Sequence, residues 1–77
     1  MTNINDINKH GGWLARVTTS GDPPLMRHYF VYELDKDRAL ALVSPRVSEG
    51  ETVELLRGLK VHELTGYELK PGDVKLY

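Results

Sequence analysis

Between positions 27 and 34 the chain reads Arg27-His28-Tyr29-Phe30-Val31-Tyr32-Glu33-Leu34. This is the strongest strand signal in the sequence, and it constrains the fold more than any other feature. In an extended strand, successive side chains point to opposite faces, so Phe30, Tyr32 and Leu34 share one face and Tyr29, Val31 and Glu33 the other. Both faces carry apolar groups, and both need cover. The remaining 69 positions of this 77-residue chain supply that cover without a single cysteine. A disulfide framework, a thiolate zinc site, an iron–sulfur cluster and a cysteine nucleophile are therefore all excluded. A chain of this length buries only about 60% of the surface its unfolded form exposes, which leaves little room for a deep enclosed active site. The expectation is one small core held together by packing.

The flanking segments suggest how that core is made. Met1 to Gly12 is rich in Asn and closes with His10-Gly11-Gly12, which reads as a flexible N-terminal arm ahead of a single domain over residues 13–77. The aromatic and β-branched run from Trp13 to Thr19 reads as a strand stopped by Gly21-Asp22-Pro23-Pro24, and it is expected to form an antiparallel hairpin with the run from Arg27. After it, Asp35 and Asp37 suit an N-cap and first turn, and Ala39 and Ala41 favour a helix that Pro45 ends, over a third strand across 39–43. Ser48 and Glu51 have capping-box spacing, and Thr52, Leu55, Leu56 and Leu59 have helical spacing. Against that, Val53-Glu54-Leu55 alternates and Gly50 and Gly58 interrupt the run, so helix and strand both stand for 52–57. Val61 to Thr65 reads as a short helical turn ended by Gly66. Pro71-Gly72 fits a type II turn, after which Val74 to Tyr77 has the composition of an edge strand. The fold class is thus α+β, in the order β-β-α-β-α.

The pieces Tyr29-Phe30-Val31, Asp35, Ala39-Leu40-Ala41-Leu42-Val43, Val53-Glu54-Leu55-Leu56-Arg57, Glu63-Leu64 and Leu69-Lys70-Pro71-Gly72-Asp73-Val74 follow a familiar order. Over roughly Tyr29 to Val74 the chain resembles a family of small uncharacterised bacterial α+β domains. The resemblance implies a helix at 39–43 and a strand at 52–57, and it brings no activity and no catalytic residue. Gly66 and Tyr67 depart from the Ala-rich helix of that pattern.

Charge and motifs narrow the function classes. Ten Lys plus Arg against eleven Asp plus Glu give a net charge of -1, which is no electrostatic footprint for duplex DNA or an anionic membrane. The apolar runs are far too short to span a bilayer, and no basic segment leads into an apolar one at the N-terminus, so a cytoplasmic location is expected. His62-Glu63 opens like a helical metalloprotease motif, but position 66 is Gly where the second imidazole belongs. His10, His28 and His62 are distant in sequence, and no phosphate loop, dinucleotide fingerprint or nucleophile elbow is present. No catalytic, metal or cofactor residue is assigned, no small-molecule substrate is identifiable, and a non-enzymatic role is expected. A small sheet with one short helix covers one face, so apolar surface on the hairpin is expected to stay open for self-association or a protein partner. The interaction surface read from the sequence is Trp13, Arg16, Arg27, Tyr29, Val31 and Glu33. The alternative is single-stranded nucleic acid, stacked on Tyr29 and Tyr32 and held by Arg16 and Arg27.

Overall fold

A computed structural model describes residues 9–77. Four strands form one antiparallel sheet: β1 (His10–Thr18), β2 (Met26–Val31), β3 (Thr52–Lys60) and β4 (Val74–Leu76), with helices α1 (Lys36–Val43) and α2 (Val61–Gly66). Across the sheet the order is β3-β1-β2-β4. The class is α+β, but the expected order of hairpin, helix, strand and short helix is corrected in two respects. The hairpin is the centre of a larger sheet rather than a unit followed by a helix, and β3 and β4 pair onto its two sides. Residues 1–8 of the expected arm lie outside the described residues. Positions 10–12 do not belong to an arm, because β1 begins at His10 and buries Gly11 and Gly12.

Register explains the division of the core. Trp13, Ala15 and Val17 lie opposite Val31, Tyr29 and Arg27 on β2, and Ala15 and Val17 lie opposite Leu55 and Val53 on β3. These residues form one sheet face. The small side chains of Ala15 and Val17 let α1 sit close, and Ala39 and Val43 complete a buried cluster with Tyr29 and Val31. Asp35 starts α1 by accepting the Arg38 N–H at 3.0 Å. Pro45 then tightens the chain into a 3₁₀ turn over Ser44–Arg46. The region 52–57, for which the residues allowed helix or strand, is a strand because it completes the ladder on β1.

On the opposite face α2 is the cover. Leu64 and Leu69 pack with Phe30 and Leu59, and Leu14 and Tyr32 border them. Glu63 anchors the start of α2 by accepting the Lys60 N–H at 3.1 Å, which with help from Arg57 holds its carboxyl below the usual range. Gly12 allows the closest backbone approach in the sheet, since a Cβ there would run into the Val31 carbonyl. Gly72 takes φ 89° in the turn after Pro71, and its N–H donates to Tyr32 O at 2.7 Å. No helix of the described residues is long and apolar enough to cross a membrane.

Candidate functional site: an open aromatic groove on the sheet

The two sheet faces differ in how fully they are covered. Eight-residue α1 closes the face of Ala15, Val17, Tyr29 and Val31, whereas six-residue α2 reaches only the Leu59 end of the other. The uncovered part is a groove of about 350 Å³ lined by Leu14, His28, Phe30, Arg57, Tyr67 and Tyr77. Leu14 and Phe30 are cross-strand partners, as are Arg16 and His28, so one face of the central hairpin forms the floor.

Aromatic contacts organise the walls. Phe30 stacks on Tyr67 with ring centroids 4.3 Å apart and meets Tyr77 edge-on at 5.2 Å. The His28 ring lies edge-on to Tyr77 at 6.1 Å. Such offset and edge arrangements fit the quadrupoles of the rings and hold each in a preferred orientation. Tyr67 is 46% exposed and Tyr77 75% exposed, so both present ring surface to an incoming group. Two hydrogen bonds fix their backbones: Lys75 Nζ donates to Tyr67 O at 3.0 Å, and the Tyr77 N–H donates to His28 O at 2.8 Å.

Cations sit at the rim. The Arg57 side chain is 58% exposed and donates to Glu63 Oε2 and to Gly58 O, both at 3.4 Å. Both bonds lie at the long end of hydrogen-bonding range, leaving this guanidinium weakly committed within the chain. Arg16 is held more firmly, with Nε and Nη2 both donating to Glu54 Oε1.

The residues singled out from the sequence do not form one surface. Val31 is fully buried and Tyr29 nearly so, which corrects their assignment to the interaction surface: α1 covers the face they occupy. Trp13 lies on that same side, donating through Nε1 to Leu34 O at 2.9 Å beneath the Lys36 ammonium, 5.2 Å from its ring. Arg27 is locked in a structural clamp. Its guanidinium donates to both Glu51 carboxylate oxygens, at 2.6 and 2.9 Å, to Arg46 O at 2.5 Å and to Tyr29 Oη at 2.9 Å. The Glu51 hydrogen bonds, with Tyr29 adding, raise the Arg27 pKa further above its ordinary value. Arg27, joined by the Ser48 N–H, lowers the Glu51 carboxyl to about 2. The set Arg27 and Tyr29, drawn on for the nucleic-acid alternative, is therefore engaged inside the fold. Glu33 accepts the Asp35 N–H at 3.0 Å and borders a second, shallower hollow with His10, Tyr32, Leu34 and Pro71. Of the six residues, Arg16 lies on the face of the groove.

The three histidines are dispersed: His28 in the groove, His10 in the second hollow and His62 exposed on α2. Among the described residues no three His, Cys, Asp or Glu side chains gather as a metal site. Sequence reasoning missed Leu14, Phe30, Arg57, Tyr67 and Tyr77 as neighbours. The alternation that groups Leu14 with Arg16 and His28 with Phe30 was available, but the contributions of β3, α2 and the chain beyond Val74 depend on the tertiary fold.

Comparison of the chain with protein-family models, with curated proteins and with solved structures found no match.

Proposed function

We propose that this chain is a non-enzymatic, cytoplasmic interaction module that docks a protein partner in the aromatic groove on the open face of its hairpin. One observation carries the reading: the exposed rings of Tyr67 and Tyr77, each set by contact with the buried Phe30, border an open groove on the sheet. Aromatic residues held rigid before binding lose little conformational entropy on association, and they recur as anchors of protein interfaces. A groove of about 350 Å³ has the size to take one large apolar side chain. Arg57 at its rim favours an acidic residue beside that side chain. The chemistry that fits is thus a peptide segment with an aromatic or aliphatic residue flanked by Asp or Glu.

Selection from a displayed peptide library, followed by NMR titration of the best peptide into the protein, tests this. The expected result is an apolar-acidic consensus, amide shifts centred on Leu14, His28, Phe30 and Arg57, and at least tenfold weaker binding to Y77A and R57A. Shifts confined to another face, or affinities unchanged by both substitutions, overturn it. A second reading, single-stranded nucleic acid, is favoured by the same rings with Arg16 and Arg57 alongside, since each stacked base contributes roughly 1–3 kcal/mol. Its signature is oligothymidine binding in the groove that weakens steeply with added salt.

A further inference from the structure

Sheet edges invite pairing, and the two edges here differ: β4 is three residues long and β3 is nine. Thr19 continues the β1–β2 ladder by donating to Leu25 O at 2.9 Å, so from Gly12 to Thr18, clear of the second register shift between His10 and Gly12, the odd-numbered residues of β1 exchange backbone bonds with β2 and the even-numbered ones with β3. By register, Thr52 and Glu54 on β3 face Thr18 and Arg16, while Val53 and Leu55 direct their backbone groups outward. The register shifts between Leu14 and Ala15, where Leu56 is the extra residue on β3. Beyond this bulge the alternation is displaced by one, so that Arg57 and Leu59 face β1 and Gly58 faces outward.

This displaced alternation makes the edge complementary to itself. With a twofold axis between Leu55 and Leu56, a second copy running antiparallel sets Val53 opposite Gly58, both with outward backbone groups. The same register sets Glu54 opposite Arg57, both on the groove face, and it does so twice by symmetry. At the centre Leu55 of each copy lies opposite Leu56 of the other. A slip of one residue in either direction sets outward residues against inward ones and separates the charges. The matched register centred on Glu54 sets that carboxylate against its own copy. Within one chain both Arg16 bonds fall on Glu54 Oε1, so a second guanidinium reaching Oε2 does not compete with them, and Arg57 holds its own partners only at 3.4 Å.

We infer that β3 pairs with β3 of a second copy of this chain, joining two sheets into one of eight strands with reciprocal Glu54–Arg57 ion pairs across the axis. Edge charges and a bulge ordinarily discourage strand addition. Here they reject other strands and select a copy of themselves, in the isologous manner of a twofold dimer. The inference shares Arg57 with the groove rim, but it rests on the backbone register of the β3 edge, and Glu54 is not among the residues that line the groove.

Sedimentation equilibrium of the full chain at low salt, over a concentration series, tests it with E54R and R57E. Wild type is expected to dimerise. Each variant alone sets like charges against each other at both pairs and is expected to dimerise at least tenfold more weakly. An equimolar mixture is expected to recover wild-type association, because one chain then presents two cations and the other two carboxylates. Amide exchange of the wild type gives a readout free of substitution: protection at Val53, Leu55 and Gly58 is expected to rise with concentration. A wild type monomeric throughout, variants that associate as the wild type does, a mixture of folded variants that stays monomeric, or exchange at these amides that ignores concentration would each overturn the inference.

Discussion

Replacing Leu64 by Ala tests the account of how the groove is built. Helix α2 has six residues, well below the roughly 12–15 at which an isolated helix becomes even marginal in water. Its position therefore depends on packing, and Leu64 is its fully buried side chain. The substitution removes three carbons. At about 0.8 kcal/mol for each buried methylene the transfer loss is about 2.4 kcal/mol, and incomplete collapse of the cavity brings the expected cost to about 3 kcal/mol. A domain of this length has a total stability of roughly 4–11 kcal/mol, so the variant remains measurable. In urea unfolding followed by the fluorescence of Trp13, with a slope of about 1–1.5 kcal/mol per molar, the midpoint should fall by about 2–3 M. Release of α2 also frees Tyr67, so the ring-current shifts that Phe30 and Tyr67 impose on each other should shrink in native buffer. Leu64→Met, which preserves volume, should cost less than about 1.5 kcal/mol and retain those shifts. A loss below about 1 kcal/mol for L64A, or a full loss with the Phe30–Tyr67 shifts intact, refutes the view that Leu64 positions the groove wall.

Two other positions give further tests. The Glu51 carboxyl is lowered from the ordinary 4.5 to about 2, so the clamp stabilises the fold fully above pH about 4.5 and that contribution is lost as pH falls toward 2. In melting temperature against pH, E51Q should be less stable near neutrality and show a flatter acid limb, with the depressed Glu63 carboxyl supplying the slope that remains; parallel limbs for the two proteins would refute the clamp. Glu68 takes φ 65° just beyond α2, a left-handed conformation that Gly adopts without a Cβ penalty, so E68G should stabilise the protein by about 0.5–1 kcal/mol in urea unfolding. Destabilisation by E68G would show that the Glu68 side chain contributes more than its backbone conformation costs.

Local chemistry made some elements legible in the sequence. Asp35 at an N-cap, Ala39 and Ala41 ahead of Pro45, and Gly72 after Pro71 each specify backbone through short-range effects, and the structure shows the corresponding cap, helix and turn. The alternation from Arg27 onward correctly showed a strand apolar on both faces, but not which face α1 would cover. That choice lies in Ala15 and Val17 on the neighbouring strand, whose small size admits the helix above Tyr29 and Val31. Tyr29 and Val31 were consequently assigned to an interaction surface although they lie on the side that became the core. At 52–57 two periodicities coexisted, and only the free side of β1 decided between them. Tyr67 and Tyr77 carried no local sign of a site, because their nearness to Phe30 arises from the return of the chain after α2.

The sheet order also sets the course of folding. β1 is central although it comes first in the described chain, and its partners on one side are supplied by residues 52–60, with pairings from Thr18–Thr52 to His10–Lys60. The β1–β2 hairpin can zip by local turn closure, but β3 must close loops of several tens of residues before its contacts compensate the lost chain entropy, which makes that docking the slow step. During synthesis one side of β1 therefore waits, its hydrogen-bonding groups bare, until residues 52–60 have been made. This interval is when the nascent protein is most open to pairing with the wrong strand, and the positive charge of Arg16 in the waiting strand is the sort of group that discourages it.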